Sequence, residues 1–352
     1  MVQPPVAPPV ANQAAGTEIV SGGRWAAIPR TWIYAALFLA ALALSPLVIS
    51  DSFIIHGLLV TCLWAGLALS WNILAGFTGQ LSFGHAAFFG VGAYTMAILY
   101  AKFGVSPWIG MMAGGAIAAV LAAFIGIPAF RLRGPYFALA TLALAEVTRI
   151  IAIYWEGMTG GAAGLFLPPQ TGFVHMSWQG KSPFLWLTVG YLAVVWATAA
   201  LLKQSRSGYF MAAVREDQDA AGVAGVNATA IKMQAAMISA FLTGVGGAIL
   251  ACYTTFVEPQ EFLGVLISIQ LLIVTIVGGL GTLSGPVIGA FLATPVAEIL
   301  RSVIGSRIAG GLHQLIYGLI FLFVMIYLPK GIGPAILRLI RRIAARRSGG
   351  ND

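Results

Sequence analysis

Apolar stretches long enough to cross a lipid bilayer recur through most of this 352-residue chain. A spanning helix needs about 20 consecutive, mainly apolar residues, and in hydrocarbon its backbone polar groups must be hydrogen-bonded within the segment. By this measure we expect about ten spans, and we predict an all-α fold, a polytopic transmembrane helix bundle. The expected spans are Trp32–Ile49, Phe53–Leu74, Ala86–Tyr100, Trp108–Phe130, Pro135–Tyr154, Phe184–Leu202, Met233–Tyr253, Phe262–Leu280, Pro286–Val303 and Leu312–Leu328.

The composition is that of a membrane protein, with 59% hydrophobic and only 9% charged residues. A soluble domain carries roughly 25% charged residues. The net charge of +8 comes from basic residues in short polar segments between spans and at the C-terminal end. Such placement indicates membrane orientation and not nucleic-acid binding. Cys62 and Cys252 lie in apolar stretches without a C-x-x-C motif or a histidine cluster, so we expect no metal site and no cofactor.

Lysine and arginine mark one side of the membrane, because short cytoplasmic loops retain positive charge during insertion. The connections after the fourth and sixth expected spans and the segment after the last span are basic, whereas the alternate connections carry mainly acidic residues. We therefore expect both termini in the cytoplasm. The basic residues concerned are Arg131, Arg133, Lys203, Arg206, Arg215, Lys232, Lys330, Arg338, Arg341, Arg342, Arg346 and Arg347.

Three regions follow from this pattern. Residues 1–28 are rich in Pro, Ala, Gln and Gly without periodicity, which predicts a disordered cytoplasmic tail. Residues 29–334 form the expected transmembrane domain, with a polar cytoplasmic loop at 203–232. Residues 335–352 form a basic cytoplasmic tail.

A glycine-rich segment from Gly76 to His85 interrupts the apolar sequence. Irregular backbone at membrane depth survives only when it is buried in protein or lines a wet cavity. We therefore predict a segment that lines or gates a translocation path, the alternative being a cytoplasmic turn with a satisfied histidine. A broken or re-entrant element is also plausible in the short span Ala86–Tyr100 that follows. The candidate residues are Gly76, Gly79, Gln80, Ser82, Gly84 and His85.

A second glycine-rich run shares the pattern G-x-x-G-x-L-S with the first. Transporter folds often contain internal repeats near their substrate sites, although glycine-rich chains also produce such matches by chance. We include this run in the predicted path or gate. Its candidate residues are Gly278, Gly279, Gly281 and Ser284.

The loop 203–232 is the most polar internal segment of the chain. Residues from Ala213 to Ala221 can form a short helix with charged residues on one face and alanines on another, and glycines suit its end. Such a helix can dock in a groove on a partner; the alternative is a solvated helix without one. The candidate residues are Arg215, Glu216, Asp219, Ala220, Ala221, Gly222 and Gly225.

Charged residues inside spans usually mark function, but two acids here lie three residues before an arginine. Glu146 with Arg149, and Glu298 with Arg301, therefore predict local structural ion pairs. The sequence contains no Walker A motif, no H-E-x-x-H and no G-x-S-x-G. We do not expect an enzyme, and if ATP drives the protein, another chain must hydrolyse it.

The run Trp71–Tyr94 closely resembles the signature of the branched-chain amino-acid permeases of ATP-binding-cassette importers. Asp219-Ala220-Ala221 followed by Gly225 resembles the E-A-A-x-x-x-G coupling loop of these importers, with Asp in place of Glu. The similarity continues through residues 276–286. The chain departs from the pattern in its long N-terminal tail and at Ile231-Lys232-Met233, where other importers often have I-x-L-P.

This resemblance implies a permease subunit that forms the path for branched-chain amino acids across the bacterial inner membrane. It also implies two cytoplasmic ATPase subunits, a second related permease, usually a different chain, and a periplasmic substrate-binding protein. The connection 203–232 would then be the coupling loop. Three alternatives remain: a related importer for urea, short amides or another small polar solute; an autonomous carrier or channel; and a structural membrane scaffold.

Overall fold

The computed structural model describes residues 30–49, 51–132, 134–168, 170, 172–178, 180–304 and 318–319. These residues form a helical bundle with one two-stranded sheet. The elements are α1 Arg30–Val48, α2 Ser52–Thr78, α3 His85–Phe103, α4 Pro107–Ala129, α5 Pro135–Tyr154, α6 Glu156–Thr159, β1 Leu165–Phe166, α7 Ser182–Gln204, α8 Arg206–Glu216, α9 Gln218–Val223, α10 Ala228–Thr254, β2 Phe256–Val257, α11 Pro259–Phe262, α12 Val265–Gly278 and α13 Gly285–Ile304. Short 3-10 turns occupy Gly161–Ala163 and Phe173–His175.

Within the described ranges, seven helical segments are long and apolar enough to cross a membrane, and two shorter apolar helices accompany them. Each of the first nine expected spans coincides with one of these. The tenth, Leu312–Leu328, lies outside the described residues except at positions 318–319. Both predicted tails also lie outside the described residues. The chain is therefore a multi-pass helical membrane protein, and the total of about ten spans stays a prediction.

The third expected span is an uninterrupted helix, α3, of 19 residues. The irregular backbone lies before it, at residues 79–84, where α2 has already ended at Gly79 with a φ of 74°. The suggestion of a broken element within Ala86–Tyr100 is therefore wrong. A left-handed glycine ends one helix, and the next begins six residues later.

Helix α2 lies at the centre of the bundle and is buried along nearly its whole length. It packs against α7, α10, α12 and α13. A second group of close contacts joins α3, α4 and α10. There a Cβ atom at Gly92 would overlap the carbonyl of Gly244, and one at Gly114 would lie 2.5 Å from the carbonyl oxygen of Gly92. Small residues thus let these three helices approach backbone to backbone, as is typical of helices packed in lipid.

The two ends of the bundle differ in structure. At one end the loop 203–232 forms α8 and α9 beside the last turn of α2 and the first turn of α10. At the other end β1 pairs antiparallel with β2, with Leu165 opposite Val257. We call these the loop end and the strand end.

Candidate functional site

Arg215 joins three predicted segments at the loop end. From the last turn of α8, its Nη1 donates a 3.0 Å hydrogen bond to the carbonyl oxygen of Gly76 in α2. Carbonyls in the last turn of a helix lack an intrahelical donor, so the guanidinium supplies a missing partner. A Cβ atom at Gly79 would lie 3.1 Å from Cγ of Arg215, and one at Gly281 would lie 2.6 Å from its Nη1. Both glycines therefore make room for this side chain.

Asn72 ties the second glycine-rich run to the same place. This fully buried side chain donates from Nδ2 to the carbonyl oxygen of Thr282 at 2.9 Å and accepts from the backbone N–H of Gly281 at 2.8 Å. Gly76 lies one turn further along α2, and a Cβ atom there would overlap Oδ1 of Asn72. Asn72 was not among the functional residues predicted from the sequence. A lone amide in an apolar helix was the available signal, because buried polar groups require partners.

The connection between α2 and α3 is anchored by side chains from other helices. Trp71 Nε1 donates to the carbonyl oxygen of Ser82 at 2.8 Å, and Ser82 is itself buried. The N–H of Phe83 donates to Thr141 Oγ1 of α5 at 3.1 Å, and Ser268 Oγ of α12 donates to the carbonyl oxygen of Phe83 at 2.6 Å. The second half of the irregular backbone, from Ser82 to Gly84, is thus packed within protein and hydrogen-bonded, one of the two environments in which such backbone survives.

The candidates within this connection have different exposures. Gly84 is buried, and its N–H donates to Ser82 Oγ at 3.1 Å. Gln80 is half-buried, and Gly79 is exposed beside Arg215. The predicted path or gate residues therefore divide into an inner set and a set at the surface of the loop end.

His85 lies inside the bundle and is fully buried. Its Nε2 lies 2.8 Å from Ser239 Oγ of α10, and Ser239 Oγ donates to the carbonyl oxygen of Ser70 at 2.6 Å. Because the serine has only one proton to donate, Nε2 of His85 carries the proton in this chain of hydrogen bonds. Its Nδ1 has no hydrogen-bond partner among the described residues.

The second glycine-rich run turns the chain from α12 into α13. A Cβ atom at Gly278 would overlap the carbonyl oxygen of Gly285, and Gly279 has a φ of 123°. Ser284 is exposed and lines a mostly apolar cavity of about 560 Å³ between this run, α1 and α7. Lys203 lines the same cavity. Of the path candidates in this run, Ser284 is the one that faces this open space.

The loop 203–232 contains two helices, so the single helix expected over Ala213–Ala221 is wrong. The break is at Asp217, which is extended at a φ of −154° and caps α9 by accepting hydrogen bonds from the N–H groups of Ala220 and Asp219. These hydrogen bonds to the backbone hold the pKa of Asp217 below its usual value. A side chain that prefers to cap a new helix therefore outcompetes helix continuation.

The predicted coupling residues face two directions. Arg215 contacts the end of α2, although its side chain stays 43% exposed, and Ala221 is buried. A second set is exposed on α9 and its flanks, together with Val223, whose side chain is 93% exposed. The exposed candidates are Glu216, Asp219, Ala220, Gly222 and Gly225. One face of the loop thus contacts the bundle, and the other is exposed.

The ion pair predicted within α5 is confirmed. Arg149 donates from Nε to Glu146 at 3.0 Å and also from Nη2, and its Nη1 donates to Gln260 at 2.8 Å. The predicted partner of Glu298, the Arg301 side chain, lies outside the described residues. In the described part of the chain Glu298 lies 3.9 Å from His56.

Comparison with known proteins adds independent information. The profile of a family described as the permease component of branched-chain amino acid transport systems matches residues 53–327. The high-affinity branched-chain amino acid transport system permease protein LivM of Escherichia coli K12 is 28% identical over 91% of this chain and 80% of its own length. LivM of Salmonella typhimurium is 28% identical over 78% of this chain and 68% of its own. The high-affinity branched-chain amino acid transport system permease protein LivH of Escherichia coli K12 is 22% identical over 79% of this chain and 93% of its own length. No solved structure matches significantly.

Proposed function

The chain belongs to the branched-chain amino acid permease family, and from this premise we propose that it forms the translocation path for branched-chain amino acids across the bacterial inner membrane. It is a transport component and not an enzyme, as its relatives are permease proteins. The relatives named for branched-chain amino acid transport support this substrate over urea or short amides.

The contact of Arg215 with Gly76 is the observation that carries the proposed mechanism. Two ATPase subunits hold the exposed face of α9 and move the coupling loop when they close on ATP. Arg215 transmits that movement to the end of α2, and Asn72 passes it to the run that leads into α13. Because the two glycine-rich connections are fixed to packed helices, a shift at the loop end changes how those helices cross.

We also propose that the coupling loop and both termini lie in the cytoplasm, on about ten spans. The basic residues of the loop end support this orientation. The strand end then faces the periplasm, where a substrate-binding protein delivers the amino acid.

A second, related permease completes the path beside α5. This helix is the least buried of the seven long apolar segments, and Glu146 on it leaves 44% of its side chain exposed. A charged pair is costly against lipid but acceptable against a protein partner or a wet path. Similarity to two differently named permease proteins, LivM and LivH, supports a pair of unlike chains.

The test is uptake by proteoliposomes that contain both permeases, both ATPases and the binding protein. We expect ATP-dependent leucine uptake that isoleucine and valine inhibit and that urea and acetamide do not. Inhibition by urea or acetamide alone would identify the alternative importer. Uptake by the purified chain alone would identify a carrier or channel, and no uptake in any combination would support a scaffold.

A further inference from the structure

A cluster of titratable side chains lies at the strand end, away from the site described above. His56 is one turn inside α2, Tyr253 is near the end of α10, and Glu298 is in the second half of α13. Nδ1 of His56 lies 2.6 Å from the Tyr253 hydroxyl, and the two rings stack with centroids 5.7 Å apart. Nε2 of His56 lies 3.9 Å from Oε2 of Glu298. Three helices thus contribute one polar group each.

The cluster lies at the opposite end of the bundle from Arg215. Helix α2 carries His56 near its first residue and Gly76 near its last. Helices α10 and α13 both begin at the loop end, and both reach the cluster after most of their length. In the proposed orientation this is the periplasmic mouth, where substrate arrives.

Glu298 is held differently from Glu146, the acid carried by α5. Two guanidinium nitrogens of Arg149 bind Glu146. The contact between Oε2 of Glu298 and Nε2 of His56 is longer than a charge-assisted hydrogen bond, and a carboxylate has about four acceptor positions, so Glu298 retains capacity to accept. The side chains of His56 and Glu298 are 30% and 18% exposed, so neither is sealed inside the bundle. Ionisable side chains in spans commonly mark substrate paths.

The arrangement places a hydrogen-bond donor beside an acceptor. When the Tyr253 hydroxyl donates to Nδ1, the proton of the imidazole is on Nε2, on the side of Glu298. An α-amino acid carries an ammonium and a carboxylate on one carbon. We infer that His56 and Glu298, oriented by Tyr253, form a binding site for the two charged groups of a zwitterionic amino acid. Glu298 accepts from the ammonium, and Nε2 of His56 donates to the carboxylate. This inference rests on the proposed transport function.

Equilibrium binding to the complete complex in nanodiscs, without the binding protein, tests the site. The probes are leucine, 4-methylpentanoate, which lacks the ammonium, and leucinamide, which lacks the carboxylate. Glu298→Gln should weaken leucine binding about tenfold, as expected for loss of a charged hydrogen bond, and should remove the preference for leucine over 4-methylpentanoate. His56→Leu should instead remove the preference over leucinamide. Tyr253→Phe should weaken leucine binding by less than either.

Glu261→Gln is the matched control, since Glu261 is an exposed acid at the same end, and it should leave binding unchanged. A purely structural role would weaken all three probes equally, and that result would overturn the site. A wild-type complex that transports leucine but shows no binding in this assay would also overturn the site, although the proposed transport function would still stand. If the complex transports only an uncharged solute, the transport proposal itself fails.

Discussion

Arg215 gives a reason for glycine at two separate positions of the loop end, Gly79 and Gly281. Its guanidinium binds the carbonyl of Gly76, and its side chain fills the space that Cβ atoms at Gly79 and Gly281 would occupy. In the sequence these glycines indicate only backbone freedom. In the structure Gly79 and Gly281 both lie against the Arg215 side chain.

We predict that Arg215→Ala uncouples ATP hydrolysis from transport. The variant loses a hydrogen bond from a charged donor, which is worth about 2 kcal/mol, so leucine transported per ATP hydrolysed should fall about 30-fold. Arg215→Lys should recover only part of the loss, because an ammonium cannot reproduce the planar guanidinium. Uptake and ATPase activity are measured on the same proteoliposomes.

Arg206→Ala is the control for Arg215. Arg206 is an exposed arginine at the first residue of α8 and is not one of the candidate coupling residues. Its transport per ATP should match wild type. An Arg215→Ala complex that also keeps the wild-type ratio would show that the contact with Gly76 does not transmit the movement.

Helices α3, α4 and α10 pack on backbone contact, and this is an element-scale property. Gly92, Gly114 and Gly244 meet where the three helices cross. Since interhelical association in lipid depends on close packing, these crossings fix the position of α3, the helix that follows the first glycine-rich connection.

We predict that Gly92→Ala destabilises the bundle, because its methyl group would overlap the carbonyl of Gly244. Overpacking of this kind costs about 1–3 kcal/mol. Thermal unfolding in detergent, followed by loss of the monodisperse peak, measures the effect. Gly57→Ala in α2 is the matched control, since a Cβ atom there meets nothing within 4 Å. Equal midpoints for the two variants would contradict backbone-to-backbone packing.

At the scale of the whole molecule, the proposal depends on the opposite placement of the two sites. The loop end holds Arg215 and the exposed face of α9, and the strand end holds His56 and Glu298. A movement received at one end must therefore pass along α2 and α13 to change the other. Helix α2 carries a polar contact at each end, whereas α13 carries Glu298 towards the strand end and directly follows the run that Asn72 binds.

We predict that the two ends react with a membrane-impermeant maleimide from opposite sides. The side chain of Val223 is 93% exposed, so the variant Val223→Cys should be labelled in inside-out vesicles only. Phe173→Cys, 69% exposed near the strand end, should be labelled in right-side-out vesicles only. The buried Cys62 and Cys252 give a low background. Labelling of Val223→Cys from the periplasm would exclude a cytoplasmic motor at this loop.

The sequence by itself determined the helices, the resemblance and the polar loop. A span is encoded locally, because about 20 apolar residues must satisfy their own backbone in hydrocarbon. The ion pair of Glu146 and Arg149 is local too, since residues three apart share a helix face. The break at Asp217 was missed, because capping and helix continuation compete within the same few residues.

Only the tertiary structure decided which polar groups meet. Arg215 and Gly76 are 139 residues apart in the chain, and Asn72 and Gly281 are 209 apart. His56 and Tyr253 are 197 apart. Periodicity and composition describe each segment against lipid, whereas these contacts depend on how close the helices come and at what angle they cross. Those quantities are set by the glycines and buried side chains of several helices packing together.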